Sequence, residues 1–137
     1  MTIVVDTGGL LALLDADDKH HDEVKALFEE DGARWVLPWA ILAEVDYLAS
    51  TRLGAHVASA FEEDLKEGLF RVDAHLSKDL PRAAALRKKY ASLKLGLVDT
   101  VVMAQAERHQ ADAILTLDRR HFGAVKLAGA PRLLPEG

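Results

Sequence analysis

Short apolar runs alternate with amphipathic stretches along the whole chain. Brief apolar runs of this kind are typical of strands buried in a parallel sheet, and the stretches between them have the spacing of helices that cover it. We therefore predict a three-layer α/β/α sandwich around a short parallel sheet of four or five strands, formed by one domain over residues 1–137. The predicted strands are Ile3–Val5, Trp35–Leu37, Leu69–Val72, Ala113–Leu117 and, at one edge, Pro131–Leu134.

Helices are predicted wherever apolar residues recur at intervals of three or four. Pro38 is expected at the first position of one helix, Pro81 near the first turn of another, and Asp6, Asp99 and Asp118 at helix starts. The first predicted helix follows Asp6. The other predicted helices cover Lys19–Glu30, Pro38–Ala49, Leu53–Glu67, Leu76–Tyr90, Asp99–His109 and Asp118–Phe122.

Composition narrows the class of protein. The chain has 137 residues, half of them hydrophobic, and no cysteine, which excludes a disulfide framework and a thiolate zinc site. The N-terminus lacks the pattern of a signal peptide, and no apolar segment approaches the roughly 18 residues of a membrane span. We expect a cytoplasmic protein with no membrane association.

The net charge is −5, which is the wrong sign for a protein that binds nucleic acid through a basic surface. Acidic residues that bind a metal change this conclusion, because a bound cation reverses the local field. A partner protein with basic side chains would have the same effect.

Four acidic residues stand at points where an α/β fold brings chain segments together. Asp6 and Asp118 follow predicted strands, Asp99 stands at a helix start, and Glu44 lies in the helix after the second strand. Taken singly, each is explained as a helix cap or a solvated side chain. Taken together, they predict a Mg²⁺ or Mn²⁺ site acting on phosphate, because ligands bind beyond the carboxyl ends of parallel strands and a cation relieves carboxylate repulsion.

Motifs around these acids resemble the PIN-domain ribonucleases, and most of all the VapC toxins of bacterial toxin–antitoxin pairs. The resemblance covers nearly the whole chain in order and spacing. One departure is Gly8, where many members of the family carry a small hydroxyl or amide residue. The matching segments are Val4–Leu13, Pro38–Leu48, Leu97–Thr100 and Ile114–Phe122.

The resemblance implies a toxin that cleaves RNA with Mg²⁺ or Mn²⁺, using a water molecule activated by the metal. Asp6 and Asp99 are the expected direct ligands, and Glu44 and Asp118 are expected to bind a second metal or orient water. Supporting hydrogen bonds to these carboxylates are predicted from three neighbouring hydroxyl residues, Thr7, Thr100 and Thr116.

Basic residues next to Asp118 are candidate contacts for the RNA backbone, namely Arg119, Arg120 and His121. The resemblance also implies two protein partners, a small antitoxin whose basic or aromatic tail fills the acidic site and a second copy of the chain. An apolar groove for the antitoxin would lie between Pro38–Ala49 and Leu53–Glu67, with Phe61 and Leu65 or Trp39 and Tyr47 as candidate lining residues. For most of these four residues, an ordinary position in the core is the favoured interpretation.

Two other functions remain open from the sequence. One is a catalytically silent PIN-like domain that only binds RNA or protein. The other is a different Mg²⁺-dependent phosphoryl enzyme, although the lysine that receiver domains and aspartyl phosphatases place near their acids is absent from the predicted strand ends. The Asp-Thr-Gly sequence at Asp6 also occurs in aspartic proteases, but the helical patterns of this chain do not fit their β-rich fold.

Overall fold

The computed structural model describes residues 1–136 as a parallel sheet with helices on both faces, which confirms the predicted fold class. The five strands have the order β3-β2-β1-β4-β5. Their bounds are Ile3–Val5 for β1, Trp35–Pro38 for β2, Arg71–Asp73 for β3, Ala113–Leu115 for β4 and Arg132–Leu134 for β5. The helices are Thr7–Leu14 (α1), His21–Asp31 (α2), Leu42–Arg52 (α3), Ala55–Lys66 (α4), Leu76–Lys89 (α5), Leu97–Arg108 (α6) and Arg119–Phe122 (α7).

The strand order reverses direction between β1 and β4. From β1 the chain builds outward through β2 and β3 on one side, and through β4 and β5 on the other. In an open α/β sheet this reversal opens a crevice beyond the carboxyl ends of the two central strands, where ligands bind. The end of β1 is Val5 and the end of β4 is Leu115, so Asp6 and Thr116 enter that crevice directly.

The central strands form the core. Every residue of β1 and β4 has no exposed surface, as expected for strands covered by helices on both faces. Gly9 allows α1 to approach β4 closely, because a Cβ at this position would lie 2.6 Å from the carbonyl oxygen of Leu115. No helix within residues 1–136 is both long and apolar enough to cross a membrane.

Several predicted boundaries were wrong. Pro38 ends β2, paired in register with Asp73, and a 3₁₀ turn over Trp39–Ile41 precedes α3. Helix α6 begins at Leu97 rather than Asp99, since the Asp99 carboxylate accepts the backbone N–H of Gly96 at 3.2 Å and so caps the helix from its third residue.

Phe61 on α4 is a core residue and does not line a groove between α3 and α4, in agreement with the interpretation favoured from the sequence for most of these residues. This side chain is 2 % exposed and packs against Phe70, with 5.7 Å between the ring centroids, so it belongs to the core. Tyr47 on α3 is 67 % exposed.

A buried polar network that the sequence pattern does not predict joins α6 to α5 and β3. Arg108 contacts Asp79 at 2.9 Å and Asp73 at 3.0 Å, and the Gln105 side chain donates to Asp79 at 2.8 Å. Burial favours a higher pKa for Asp73, but hydrogen bonds from Arg108, His75 and His109 outweigh it and hold the pKa of that carboxyl well below its ordinary value. The network therefore anchors the helix that carries Asp99.

Candidate active site

The four acids predicted from the sequence line one cleft of about 470 Å³. Asp6 follows β1, Glu44 lies in the first turn of α3, Asp99 in the first turn of α6, and Asp118 is the N-cap of α7. The structure thus brings these side chains together at the carboxyl edge of the sheet. Another cavity, of about 500 Å³, lies beside β5, but its lining is mostly apolar and holds no group of acids.

Asp6 is the buried member of the set, with 6 % of its surface exposed. Burial raises the pKa of Asp6 from 3.8 to about 6, against the hydrogen bonds from Thr116 and the Thr7 backbone. The negative charges of Asp99 and Glu44 contribute a smaller part of this rise in the pKa. Asp6 forms no ion pair with a basic side chain of residues 1–136.

Thr116 connects two of the acids. Its hydroxyl donates to the Asp6 carboxylate at 2.8 Å, and its oxygen accepts the backbone N–H of Asp118 at 3.0 Å. A hydroxyl has a single proton, so accepting from Asp118 orients that proton toward Asp6. Thr116 therefore donates to one of the four acids, and its role in supporting a metal site stays a prediction.

The other two threonines do not contact a carboxylate through their hydroxyls. Thr100 donates to the carbonyl oxygens of Gly96 and Leu97, each at 3.2 Å, because a threonine inside a helix reaches back to the preceding turn. The Thr7 hydroxyl is buried at the cleft and has no hydrogen-bond partner within the described part of the chain. Gly8 also lines the cleft and contributes no side chain there.

The side chain of His121 lies close to the carboxylates of both Asp99 and Asp118. Burial raises the pKa of Asp99, and the neighbouring charges of Asp118 and Glu44 add to the rise. His121 Nδ1 lies 2.9 Å from Asp118 Oδ2 and 3.7 Å from Asp99 Oδ2. The sequence predicts His121 as a phosphate contact, but its position three residues after a helix N-cap also indicates that it can turn back toward Asp118.

The two arginines after Asp118 differ in their surroundings. Arg119 donates to the carbonyl oxygen of Pro135, and to that of Leu133 at 3.4 Å, so its guanidinium lies against the segment that follows β5. Arg120 is exposed. The cleft also has a basic side chain that was not among the predicted site residues, Arg52 at the end of α3.

The donor set fits a divalent cation. Four carboxylates supply the oxygen ligands that Mg²⁺ and Mn²⁺ prefer, and Asp99, Asp118 and His121 offer ligand atoms that all lie within 4.8 Å of one another. The buried Asp6, whose charge has no basic partner in the described chain, is the kind of group that a cation would stabilise in its ionised form.

Comparison with known proteins identifies the family. The sequence matches the family profile for the PIN domain over residues 3–127. The chain belongs to the PIN-domain family. This PIN protein is also 32 % identical to Ribonuclease VapC26 of Mycobacterium tuberculosis over 130 residues, which cover 95 % of this chain and 96 % of that protein.

Solved structures share the fold of this PIN protein. The crystal structure of Mycobacterium tuberculosis VapC20, a toxin that cleaves the sarcin–ricin loop, matches with a TM-score of 0.79 at 20 % identity, covering 93 % of this chain and 98 % of that one. DNA-bound VapBC from Salmonella typhimurium matches with a TM-score of 0.73 at 16 % identity, covering 97 % and 96 %. The predicted membership of the VapC-type PIN ribonucleases is therefore confirmed.

Proposed function

We propose that this PIN protein is the endoribonuclease toxin of a toxin–antitoxin pair and cleaves RNA with Mg²⁺ or Mn²⁺. The observation that carries the proposal is that four carboxylates from distant parts of the chain share one cleft. The relation to Ribonuclease VapC26 supports RNA as the substrate class.

The acids have distinct roles in this proposal. Asp6 and Asp99 hold the cation directly, and Glu44 and Asp118 hold a second cation or orient the attacking water. When bound, the cation polarises a phosphoryl oxygen and makes a bound water a stronger nucleophile. Thr116 keeps the Asp6 carboxylate in position through its 2.8 Å hydrogen bond, as outer hydrogen bonds do at metal sites in general.

A small antitoxin and a second copy of the chain are the proposed partners. The net charge of −5 and the acidic cleft favour an antitoxin with a basic segment. Two of the structural neighbours are toxin–antitoxin assemblies, the DNA-bound VapBC of Salmonella typhimurium and a complex from Klebsiella pneumoniae. The exposed Tyr47 of α3 is available for a protein contact.

Incubation of the purified chain with total RNA tests the enzymatic proposal. We expect cleavage with Mg²⁺ or Mn²⁺, none with EDTA, and none from Asp6→Asn. Asp46→Asn is the matched control, because Asp46 is an exposed carboxylate two residues from Glu44 and does not line the cleft. Its activity should equal that of the wild type.

Different results identify the alternatives. Hydrolysis of small phosphoesters without RNA cleavage would support another phosphoryl enzyme. Growth arrest on expression that persists undiminished in Asp6→Asn would refute the enzymatic reading and support a domain that only binds RNA or protein.

A further inference from the structure

One face of α3 forms a wall of the acidic cleft. Glu44, Leu48 and Arg52 all line it, at intervals of four residues that place them along one side of the helix. Arg52 is the one basic side chain among the residues that line this cleft in the described chain. It is exposed and has no ion pair with another residue of 1–136.

An unpaired guanidinium beside an acidic cleft can attract the phosphates of an RNA strand. RNA approaching four carboxylates in a chain of net charge −5 is repelled except where cations neutralise them. A bound metal neutralises the acids at the centre, but it does not hold the RNA on either side. Arg52 supplies fixed positive charge at the rim.

The position of Arg52 determines which phosphate it can reach. It lies eight residues after Glu44, which corresponds to about 12 Å along the helix axis at 1.5 Å per residue. The backbone of Arg52 therefore stands about two turns from that of Glu44, while its side chain lines the same cleft as the acids. Leu48 lies between the two, so a ribose or base edge has an apolar surface to cross.

The geometry points to Arg52 as a substrate-positioning residue that binds an RNA backbone phosphate next to the scissile one. This inference rests on the proposed ribonuclease function. A planar guanidinium binds phosphate through two parallel hydrogen bonds, which fixes the orientation of the strand as well as its position. Arg119, one of the candidates from the sequence, already donates to the carbonyl oxygen of Pro135.

The test compares Arg52→Gln with Arg34→Gln, which removes the same charge from an exposed arginine in the 3₁₀ turn before β2, at the amino ends of the strands. Steady-state cleavage of a short single-stranded RNA should show KM raised about tenfold by Arg52→Gln, with kcat within about twofold of the wild type. Arg34→Gln should change neither constant.

Direct binding supplies a readout that does not depend on cleavage. Fluorescence anisotropy of a labelled RNA should be measured in EDTA with proteins that also carry Asp6→Asn. The Kd should be higher with Arg52→Gln than without it. The slope of log Kd against log salt concentration should fall by about 0.7, as expected for the loss of one phosphate contact on a single strand. Arg52→Lys should retain the slope, because it retains the charge, while binding less tightly than the wild type.

The outcomes separate this inference from the proposed function. If the wild type cleaves RNA and Arg52→Gln behaves like Arg34→Gln in both assays, the role of Arg52 is refuted while the ribonuclease function stands. A loss of kcat at unchanged KM would also overturn it, because a residue that binds the ground state affects KM. A wild-type chain that does not cleave RNA overturns both.

Discussion

Replacement of Asp6 by Asn should stabilise the metal-free protein while destroying its activity. The carboxylate is 6 % exposed, and its pKa rises from 3.8 to about 6 in the folded state, mainly because burial penalises the charged form. At 1.36 kcal/mol per pKa unit, this rise means that the ionised Asp6 lowers the free energy of unfolding by about 3 kcal/mol. Asn removes the charge, and its side-chain oxygen still accepts the Thr116 hydroxyl.

The sign of the effect follows from the raised pKa. Below about pH 4, Asp6 is protonated in the folded and the unfolded chain, so Asp6→Asn should have the stability of the wild type. As the pH rises from about 4 to about 6, the unfolded chain loses its proton more readily and the wild type becomes less stable than the variant. Above about pH 6 the difference should be constant at no more than ~3 kcal/mol.

Urea unfolding in EDTA at several pH values between 4.5 and 7.5 measures this difference. Asp46→Asn is again the control and should stay within about 0.5 kcal/mol of the wild type, because Asp46 is exposed. Excess Mn²⁺ should stabilise the wild type, by about 2.7 kcal/mol at a hundred times its Kd, and should have a smaller effect on Asp6→Asn. A variant that is less stable than the wild type at pH 7.5, or a difference that does not change with pH, would refute the reasoning.

Two further predictions concern the residues that support the site. Arg108→Met should destabilise the protein by about 3–5 kcal/mol in urea unfolding, because it leaves the fully buried Asp79 without its cation. Arg82→Met breaks a partly exposed pair with Glu107 between the same helices and should cost about 1 kcal/mol or less. Equal losses would contradict this assignment. Thr116→Val should weaken Mn²⁺ binding by about 10–100-fold in calorimetry, since the Asp6 carboxylate loses its hydrogen bond, and an unchanged affinity would exclude that role.

The apolar pattern determined the sheet and the general position of the site. Runs such as Ile3–Val5 and Ala113–Leu115 are too short and too apolar for surface helices, and they form the two central strands. Acids placed just after such runs share one edge of a parallel sheet wherever the helices fall, because every strand points the same way. The placement of Asp6 and Asp118 at the same edge was therefore predictable from local sequence, whereas their meeting in one cleft also required the pairing of β1 with β4.

Only the tertiary structure decided how individual side chains are used. Thr7, Thr100 and Thr116 each stand within two residues of an acid in the sequence. Of these three, only Thr116 donates its hydroxyl to a carboxylate within residues 1–136, because the bonds of a hydroxyl depend on the turn or helix in which it stands. The approach of His121 to Asp99 depends on packing between elements far apart in the chain. Hydrophobic periodicity records which face of an element is buried, whereas the partners of a polar group depend on distances and angles that exist only after the elements have packed together.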